Sequence, residues 1–132
     1  MKTVIAGAAV LSMLGVFAGK AHAADAALIR QGKAAFDYHC AACHGTTIVS
    51  GNRHLPGTEA LIVKYQGKLP GALEERTNLS SELVKYFVRH GVSVMPFFRK
   101  TMVSDTELDA IAAYLSRNDH SGTDTHDSGR AQ

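Results

Sequence analysis

Residues 40–44 read Cys-Ala-Ala-Cys-His and contain both cysteines of the 132-residue chain. The Cys-x-x-Cys-His spacing is the attachment signature of a c-type haem. Each thiol can add to one vinyl group, because the two-residue spacing lets one short turn reach both, and the imidazole of His44 then faces the iron. This stretch therefore predicts a fold built around one covalently attached haem.

The two cysteines have three other interpretations besides haem attachment. A thioredoxin-like dithiol needs a strand–helix–strand context and a zinc site needs two further ligands, and the sequence shows neither. A structural disulfide is the remaining alternative for an exported protein with an even number of cysteines. The histidine directly after the second cysteine, together with a Met-Pro pair downstream, favours haem.

A second axial ligand decides whether such an iron carries electrons or binds small molecules. Met95, in Val94-Met95-Pro96, is the favoured thioether, because Pro96 cannot continue a helix and pushes Met95 toward an extended conformation. Met102 is a rival that precedes a helix cap, and His54, in a loop, is the spare histidine. We interpret His39 and His90 as structural residues, and His120 and His126 as residues of the tail.

The first 23 residues have the pattern of an export signal. Lys2 provides the positive start, residues 4–18 the apolar segment, and Ala21-His22-Ala23 the cleavage site. A membrane anchor is the competing interpretation, but the apolar run is shorter than the roughly 20 residues of a spanning helix. We expect a mature chain that begins at Ala24, lies in a bacterial periplasm and has no membrane span.

The charge pattern does not indicate a nucleic-acid partner. Cleavage after residue 23 would remove two of the 14 Lys and Arg residues and leave as many as there are Asp and Glu, which number 12. Residues 53–100 are basic overall but contain neither a basic run nor an aromatic stacking motif. This segment favours docking to an acidic face by electrostatic steering, although a surface of mixed sign is the commoner explanation.

Helical periodicity and cap residues predict four helices, whereas strand signals are absent. The helices are expected at residues 25–39 with Asp25 as the cap, at 59–65, at 81–90 with Gly91 as a left-handed stop, and after a capping box that starts at Ser104. Residues 45–57 are predicted as a loop. We expect one domain over residues 24–118 and a hydrophilic tail over 119–132.

The order of a helix, Cys-x-x-Cys-His, wrapping loops, a Met-Pro loop and a closing helix resembles the class I cytochromes c over about residues 25–118. The resemblance implies a small all-α fold whose helices wrap around one covalently attached haem. It also implies that the first and last helices cross closely, with four residues at the contact: Gly32, Phe36, Tyr114 and Leu115.

A closer resemblance rests on Leu55-Pro56-Gly57-Thr58 and on KYFVRHGVSVMPFFRKT at residues 85–101. Both stretches are similar to the cytochrome subunits of 4-cresol dehydrogenase (p-cresol methylhydroxylase) and of eugenol hydroxylase. The first also resembles the class I loop in which a proline carbonyl, here that of Pro56, accepts the other N–H of the His44 ring. Thr101-Met102 and the longer tail depart from the pattern of these subunits.

This closer resemblance implies an electron-transfer subunit that is not an enzyme by itself. In such enzymes a flavoprotein oxidises a para-alkylphenol and passes electrons singly to its cytochrome, so FAD is expected only in the partner. A downstream acceptor, such as a copper protein or another cytochrome, would take the electrons onward. The docking face is expected at the haem edge, formed by Ala41, Ala42 and residues 95–98 and flanked by Arg89, Arg99 and Lys100.

Two points stay open at the level of sequence. Phe97 and Phe98 fit a core position and a hydrophobic rim of the docking face equally well. The function also has alternatives, because a freely diffusing periplasmic cytochrome would carry the same motifs. A haem peroxidase would need a vacant or displaceable sixth position on the iron, and Met95 argues against it.

Overall fold

The computed structural model describes residues 18–49 and 51–119. Five α-helices, one short hairpin and one 3-10 turn follow in chain order: α1 (Ala18–His39), α2 (Ala41–His44), β1 (Ile48–Val49), β2 (Arg53–His54), α3 (Pro56–Tyr65), the 3-10 turn (Leu73–Glu75), α4 (Ser81–His90) and α5 (Asp105–Ser116). The predicted all-α class is confirmed. Residues 1–17 of the predicted signal and residues 120–132 of the predicted tail, with His120 and His126, lie outside the described residues.

Helix α1 ends at His39, as predicted, but it begins at Ala18 and not at a cap formed by Asp25. The reason is the local composition, since Ala23 and Ala24 directly precede Asp25 and alanine has the highest helix propensity. Nothing in that stretch stops the helix before it reaches Asp25.

Helices α1 and α5 cross at the predicted place. Gly32 lies against α5 so closely that a Cβ atom at this position would be 2.0 Å from the carbonyl oxygen of Ala110. Phe36 is fully buried one turn later, and its ring centroid lies 5.9 Å from that of Tyr114. Leu115 belongs to the same buried cluster. The contact therefore requires glycine at position 32.

One hydrophobic core forms where α1, α4 and α5 meet. Helix α4 contributes Val84 and Val88, and Ser80 caps it by accepting a hydrogen bond from the backbone N–H of Leu83. Helix α5 opens with the predicted capping box, in which the side chains of Ser104 and Glu107 each accept a hydrogen bond from the other's backbone N–H.

The loop predicted over residues 45–57 is more ordered than expected, and the prediction of no strands is wrong. Strands β1 and β2 pair antiparallel, with Ile48 opposite His54 and Val49 opposite Arg53. Gly51 and Asn52 turn the chain between them with φ angles of 79° and 56°. Strands of two residues are too short to show alternation, so only the Gly-Asn pair could have signalled the hairpin.

Helix α3 begins at Pro56, three residues before the predicted start at Glu59. Proline suits the first turn of a helix, because backbone N–H groups in that turn have no partner within the helix and none is lost at proline. The φ angle of proline is also already helical. The helix ends at Tyr65, and the next residue, Gln66, adopts a left-handed conformation with φ 53°. Pro56 and Gly57 are therefore residues of a helix and not of the preceding loop.

Candidate haem site

Cys40, Cys43 and His44 lie at the elbow where α1 passes into α2. The backbone N–H of Cys40 still donates to Phe36 in α1, at 2.8 Å, and those of Cys43 and His44 both donate to the Cys40 carbonyl at 3.0 Å. The one short turn expected from the spacing is thus present. The two cysteines are not joined by a disulfide.

The two thiols differ in their surroundings. Cys43 is exposed, whereas Cys40 is half-buried and packs against the hydrophobic core. Burial, and secondarily the neighbouring Cys43, raises the pKa of Cys40 to about 11. A redox-active dithiol needs a cysteine whose pKa is lowered, so Cys40 lacks the property that the dithiol alternative requires.

His44 has the properties of an iron ligand. Burial lowers the pKa of its imidazole, which favours the neutral form that can coordinate a metal. Its Nδ1 atom is buried and has no hydrogen-bond partner among the described residues. Gly57 touches the ring, since a Cβ atom there would lie 2.6 Å from Cε1 and 2.8 Å from Nδ1 of His44.

The hydrogen bond expected between His44 Nδ1 and the carbonyl of Pro56 is not formed in the structure. Pro56 occupies the first turn of α3, where carbonyl groups point along the helix axis toward the backbone N–H groups of the next turn. The role of Pro56 in orienting the imidazole stays a prediction.

Thr58 joins α3 to the cysteine motif. Its side chain is 2% exposed, and its hydroxyl donates to the Gly45 carbonyl at 2.8 Å, with the Cys43 carbonyl farther away at 3.4 Å. Sequence analysis did not single out Gly57 or Thr58 as site residues. Their position directly after Leu55-Pro56 was the available signal.

Met95 lies in a loop that leaves α4 and returns to it. The loop starts at Gly91, whose N–H donates to the Phe87 carbonyl at 2.8 Å. It ends at Phe98, whose N–H donates to the Val88 carbonyl at 2.8 Å. Gly91 has the predicted positive φ, 70°, but its ψ of 176° is extended and not left-handed helical. A Cβ atom at Gly91 would lie 2.6 Å from the Met95 carbonyl oxygen.

The side chain of Met95 is half-buried and packs against the same hydrophobic core as Cys40 and Ala41. Its backbone pairs with Val92 through two hydrogen bonds of 2.9 and 3.0 Å, around a turn in which Ser93 has a φ of 54°. The rival Met102, in contrast, is 53% exposed. The structure thus brings Met95, and not Met102, to the core that holds the first cysteine.

His54 lines two surface clefts of about 480 and 470 Å³, beside α3 and the hairpin. Neither cleft is lined by the cysteine motif or by Met95. The expectation that His44 and Met95 bind the same iron stays a prediction. Within residues 18–49 and 51–119 no group of three or more His, Cys, Asp and Glu residues could hold a metal ion.

The two phenylalanines after Pro96 have different environments. Phe98 is half-buried against the core, whereas Phe97 is 52% exposed, with the guanidinium carbon of Arg99 lying 5.7 Å from the centre of its ring. Lys100 pairs with Asp105 at 2.7 Å. Of the three cations that flank the expected docking face, only Arg99 has no ion pair among the described residues, because Arg89 and Lys100 both pair with Asp105.

Arg76 is a buried cation that sequence analysis missed. It is 3% exposed, its Nε donates to Asn78 at 2.9 Å, and its guanidinium carbon lies 4.5 Å from the centre of the Tyr65 ring. Within the described part of the chain it has no carboxylate partner at ion-pair distance. A buried guanidinium of this kind is suited to hold an anionic group.

The residues present fit a haem: two thiols on one turn, a half-buried imidazole whose Nδ1 has no hydrogen-bond partner among the described residues, and a thioether on the same core. Fold and site together define a class I cytochrome c domain, a small all-α protein that transfers electrons through a haem. A family profile described as "Cytochrome C oxidase, cbb3-type, subunit III" matches residues 27–115. This match covers more than half of the chain, which therefore belongs to that family, and haem c is the cofactor that such a domain implies.

Searches of curated proteins and of solved structures gave no match. The comparisons therefore do not support the closer resemblance to the cytochrome subunits of 4-cresol dehydrogenase and eugenol hydroxylase. In the part of the chain that the structure covers, no helix has the length and apolar character needed to cross a membrane.

Proposed function

We propose that this chain is a periplasmic electron-transfer cytochrome that carries one haem, attached covalently through Cys40 and Cys43, with His44 and Met95 as axial ligands. The observation that supports it best is the joint placement of the motif and Met95. The elbow after α1 presents both thiols and the imidazole, and Met95 packs on the core that also receives Cys40.

Each of these residues has a separate task. Haem c, when bound, supplies an iron that stores one electron by changing between its ferrous and ferric states. Cys40 and Cys43 fix the cofactor in place, while Gly57 leaves room for the His44 ring and Thr58 holds the backbone behind the motif. Met95 closes the sixth position, which favours electron transfer over ligand binding and argues against the peroxidase alternative.

Export is part of the same proposal. Residues 1–23 act as a signal that is removed, residues 24–118 form the haem domain, and residues 119–132 are a hydrophilic tail. Attachment of haem to a Cys-x-x-Cys-His motif is completed outside the cytoplasm in systems of this kind, which supports a periplasmic location. Purification from the periplasm with an N-terminus at Ala24 is the expected result.

The proposed partner is an FAD-containing flavoprotein that oxidises alkylphenols, with a copper protein or another cytochrome as the downstream acceptor. The stretches at residues 55–58 and 85–101 support this choice. Around the Met95 loop, apolar side chains face solvent, since Val94 is 95% and Phe97 52% exposed. An exposed apolar patch with Arg99 beside it suits a partner whose contact surface is apolar at its centre and acidic at its rim.

Two measurements test the proposal. The full chain, matured with haem, is expected to show one covalently bound haem per polypeptide by mass spectrometry, and none when Cys40 and Cys43 are both replaced by alanine. A pull-down from the periplasm is expected to recover a flavoprotein in stoichiometric amount. Recovery of the haem protein without any flavoprotein would favour the freely diffusing cytochrome, and a chain that carries no haem would refute the proposal as a whole.

A further inference from the structure

We propose that Arg89 is a positioning residue that holds the Met95 loop at the sixth coordination position of the iron. The inference rests on the proposed function, because it assumes that Met95 is the axial ligand. It concerns a residue that lies on α4 and that sequence analysis assigned to a docking face.

The loop over residues 91–98 has both of its ends fixed to one turn of α4. Its start is held by the bond from Gly91 to the Phe87 carbonyl, and its return by the bond from Phe98 to the neighbouring Val88 carbonyl. Between these ends, and among the residues that the structure describes, the backbone of Met95 pairs only with Val92 of the same loop. Apart from the packing of its side chain on the core, the position of Met95 relative to the helix therefore depends on how firmly the two ends are held.

Arg89 secures the returning end. Its Nη1 donates to the carbonyls of Phe98 and Val103, both at 2.9 Å, and its Nη2 donates to Asp105 at 2.8 Å. One side chain thus ties the end of the Met95 loop to the start of α5. The side chain is only 20% exposed, so water competes weakly for these bonds.

The arrangement requires arginine in particular. A planar guanidinium presents several N–H donors in a fixed fork, whereas a lysine ammonium is a compact point charge on a flexible stem. Lysine at position 89 would retain the attraction to Asp105 but would lose the two simultaneous bonds to Phe98 and Val103. Without those bonds the return of the loop is held by the Phe98 N–H and by the packing of Phe98 on the core, and a Met95 bound to haem would leave the iron more often.

The chain offers a matched control for a merely stabilising contact. Lys85 and Asp109 also link α4 to α5, through an exposed ion pair of 2.8 Å, and among the described residues neither side chain has a hydrogen bond or an ion pair with the Met95 loop. Lys85→Gln removes an ion pair between the same two helices and leaves the loop untouched. A difference between R89Q and K85Q therefore reports on the loop.

The test measures carbon monoxide binding to the reduced, haem-loaded protein, because the gas can bind only after Met95 has dissociated. We expect R89Q to bind carbon monoxide about tenfold faster than the unaltered protein, which corresponds to about 1.4 kcal/mol. R89K is expected to show a smaller acceleration, and K85Q to stay within about a factor of two. The long-wavelength absorption band of a methionine bound to ferric haem is expected to weaken in the same order.

Equal carbon monoxide rates in R89Q, R89K and the unaltered protein would overturn the inference, as would an equal acceleration in K85Q. If R89Q does not fold, R89K decides alone. Met95→Ala separates this failure from that of the proposed function. If M95A leaves the spectra unchanged, the ligand assignment and the inference both fall, whereas an opened iron in M95A with no effect at Arg89 refutes only the inference.

Discussion

At the scale of single residues, the proposed electron transfer depends on the thioether of Met95. Met95→Ala is expected to open the iron, to create rapid carbon monoxide binding and to lower the reduction potential, because a His/Met ligand pair raises the potential of a haem. The haem itself should remain attached, since both thiols are unchanged. Absorption spectra and potentiometry of the purified variant check this outcome.

Met102→Ala is the matched control for that substitution, because Met102 is exposed and away from the core cluster. We expect it to leave spectrum and potential unchanged. A five-coordinate haem in M102A, together with an unaltered spectrum in M95A, would reverse the ligand assignment.

Gly57 is the second decisive single residue. Gly57→Ala places a methyl group 2.6 Å from Cε1 of His44, so the ring or the first turn of α3 must move. We expect a lower haem content and a loss of about 1–3 kcal/mol in the free energy of unfolding, as is typical of overpacking. Guanidinium titration and a haem-to-protein ratio measure both quantities.

Val63→Ala provides the comparison on the same helix, because Val63 is 68% exposed. We expect its free energy of unfolding to stay within about 0.5 kcal/mol of the unaltered protein. Unchanged haem content and stability in G57A would show that the contact with His44 does not constrain the imidazole.

Much of the site follows from local spacing, and the rest depends on contacts between distant residues. The cysteine motif lies within one turn, so its local geometry was predictable from residues 40–44 alone. Thr58, in contrast, bonds to Gly45, 13 residues away, and Arg89 bonds to Val103, 14 residues away. Sequence periodicity does not show which carbonyl a distant side chain reaches, and these contacts were therefore missed.

At the scale of elements, sequence-based prediction succeeded where helices are long or capped. The end of α1 and the capping box of α5 were predicted correctly, since both are set by neighbouring residues. The hairpin of β1 and β2 was missed because strands of two residues have no measurable period. The start of α3 was misplaced because Pro56 was interpreted as a residue of the loop and not as the first residue of a helix.

The crossing of α1 and α5 gives a prediction at this scale. Gly32→Ala puts a Cβ atom 2.0 Å from the Ala110 carbonyl oxygen, so the two helices must separate. Although alanine favours a helix more than glycine does, we expect a net loss of about 1–3 kcal/mol in the free energy of unfolding. Gln31→Ala, at the exposed neighbouring position, is expected to cause no loss in the same denaturant titration. A G32A protein as stable as Q31A would contradict the close contact.

At the scale of the whole molecule, the described helices form two parts. Helices α1, α4 and α5 build the hydrophobic core, whereas no residue of α3 belongs to it. Helix α3 contacts α2 and the hairpin, and Thr58 connects it to the cysteine motif. A haem attached at α2 would lie at the junction of these parts and add apolar surface to a small core, so cofactor binding and folding are expected to be coupled.

The exposed face around the Met95 loop carries the last prediction, which concerns association with the proposed flavoprotein. Arg99→Glu reverses a charge that has no ion pair among the described residues, so we expect the variant to associate more slowly than the unaltered protein. Because salt screens exposed charges, the two association rates should become more similar at high salt. Phe97→Ala removes an exposed apolar contact and should speed dissociation instead. Lys100 is the poorer site for charge reversal, because it pairs with Asp105 at the start of α5.

Stopped-flow reduction of the haem by the substrate-reduced flavoprotein, repeated at several salt concentrations, measures these effects. Lys64→Glu on α3 is the control, since it reverses an exposed charge away from the Met95 loop. If K64E slows reduction as much as R99E does, the effect belongs to net charge and not to this face. If an unrelated flavoenzyme reduces the haem as fast as any phenol-oxidising one, the dedicated partner is refuted, and the chain acts as a freely diffusing carrier.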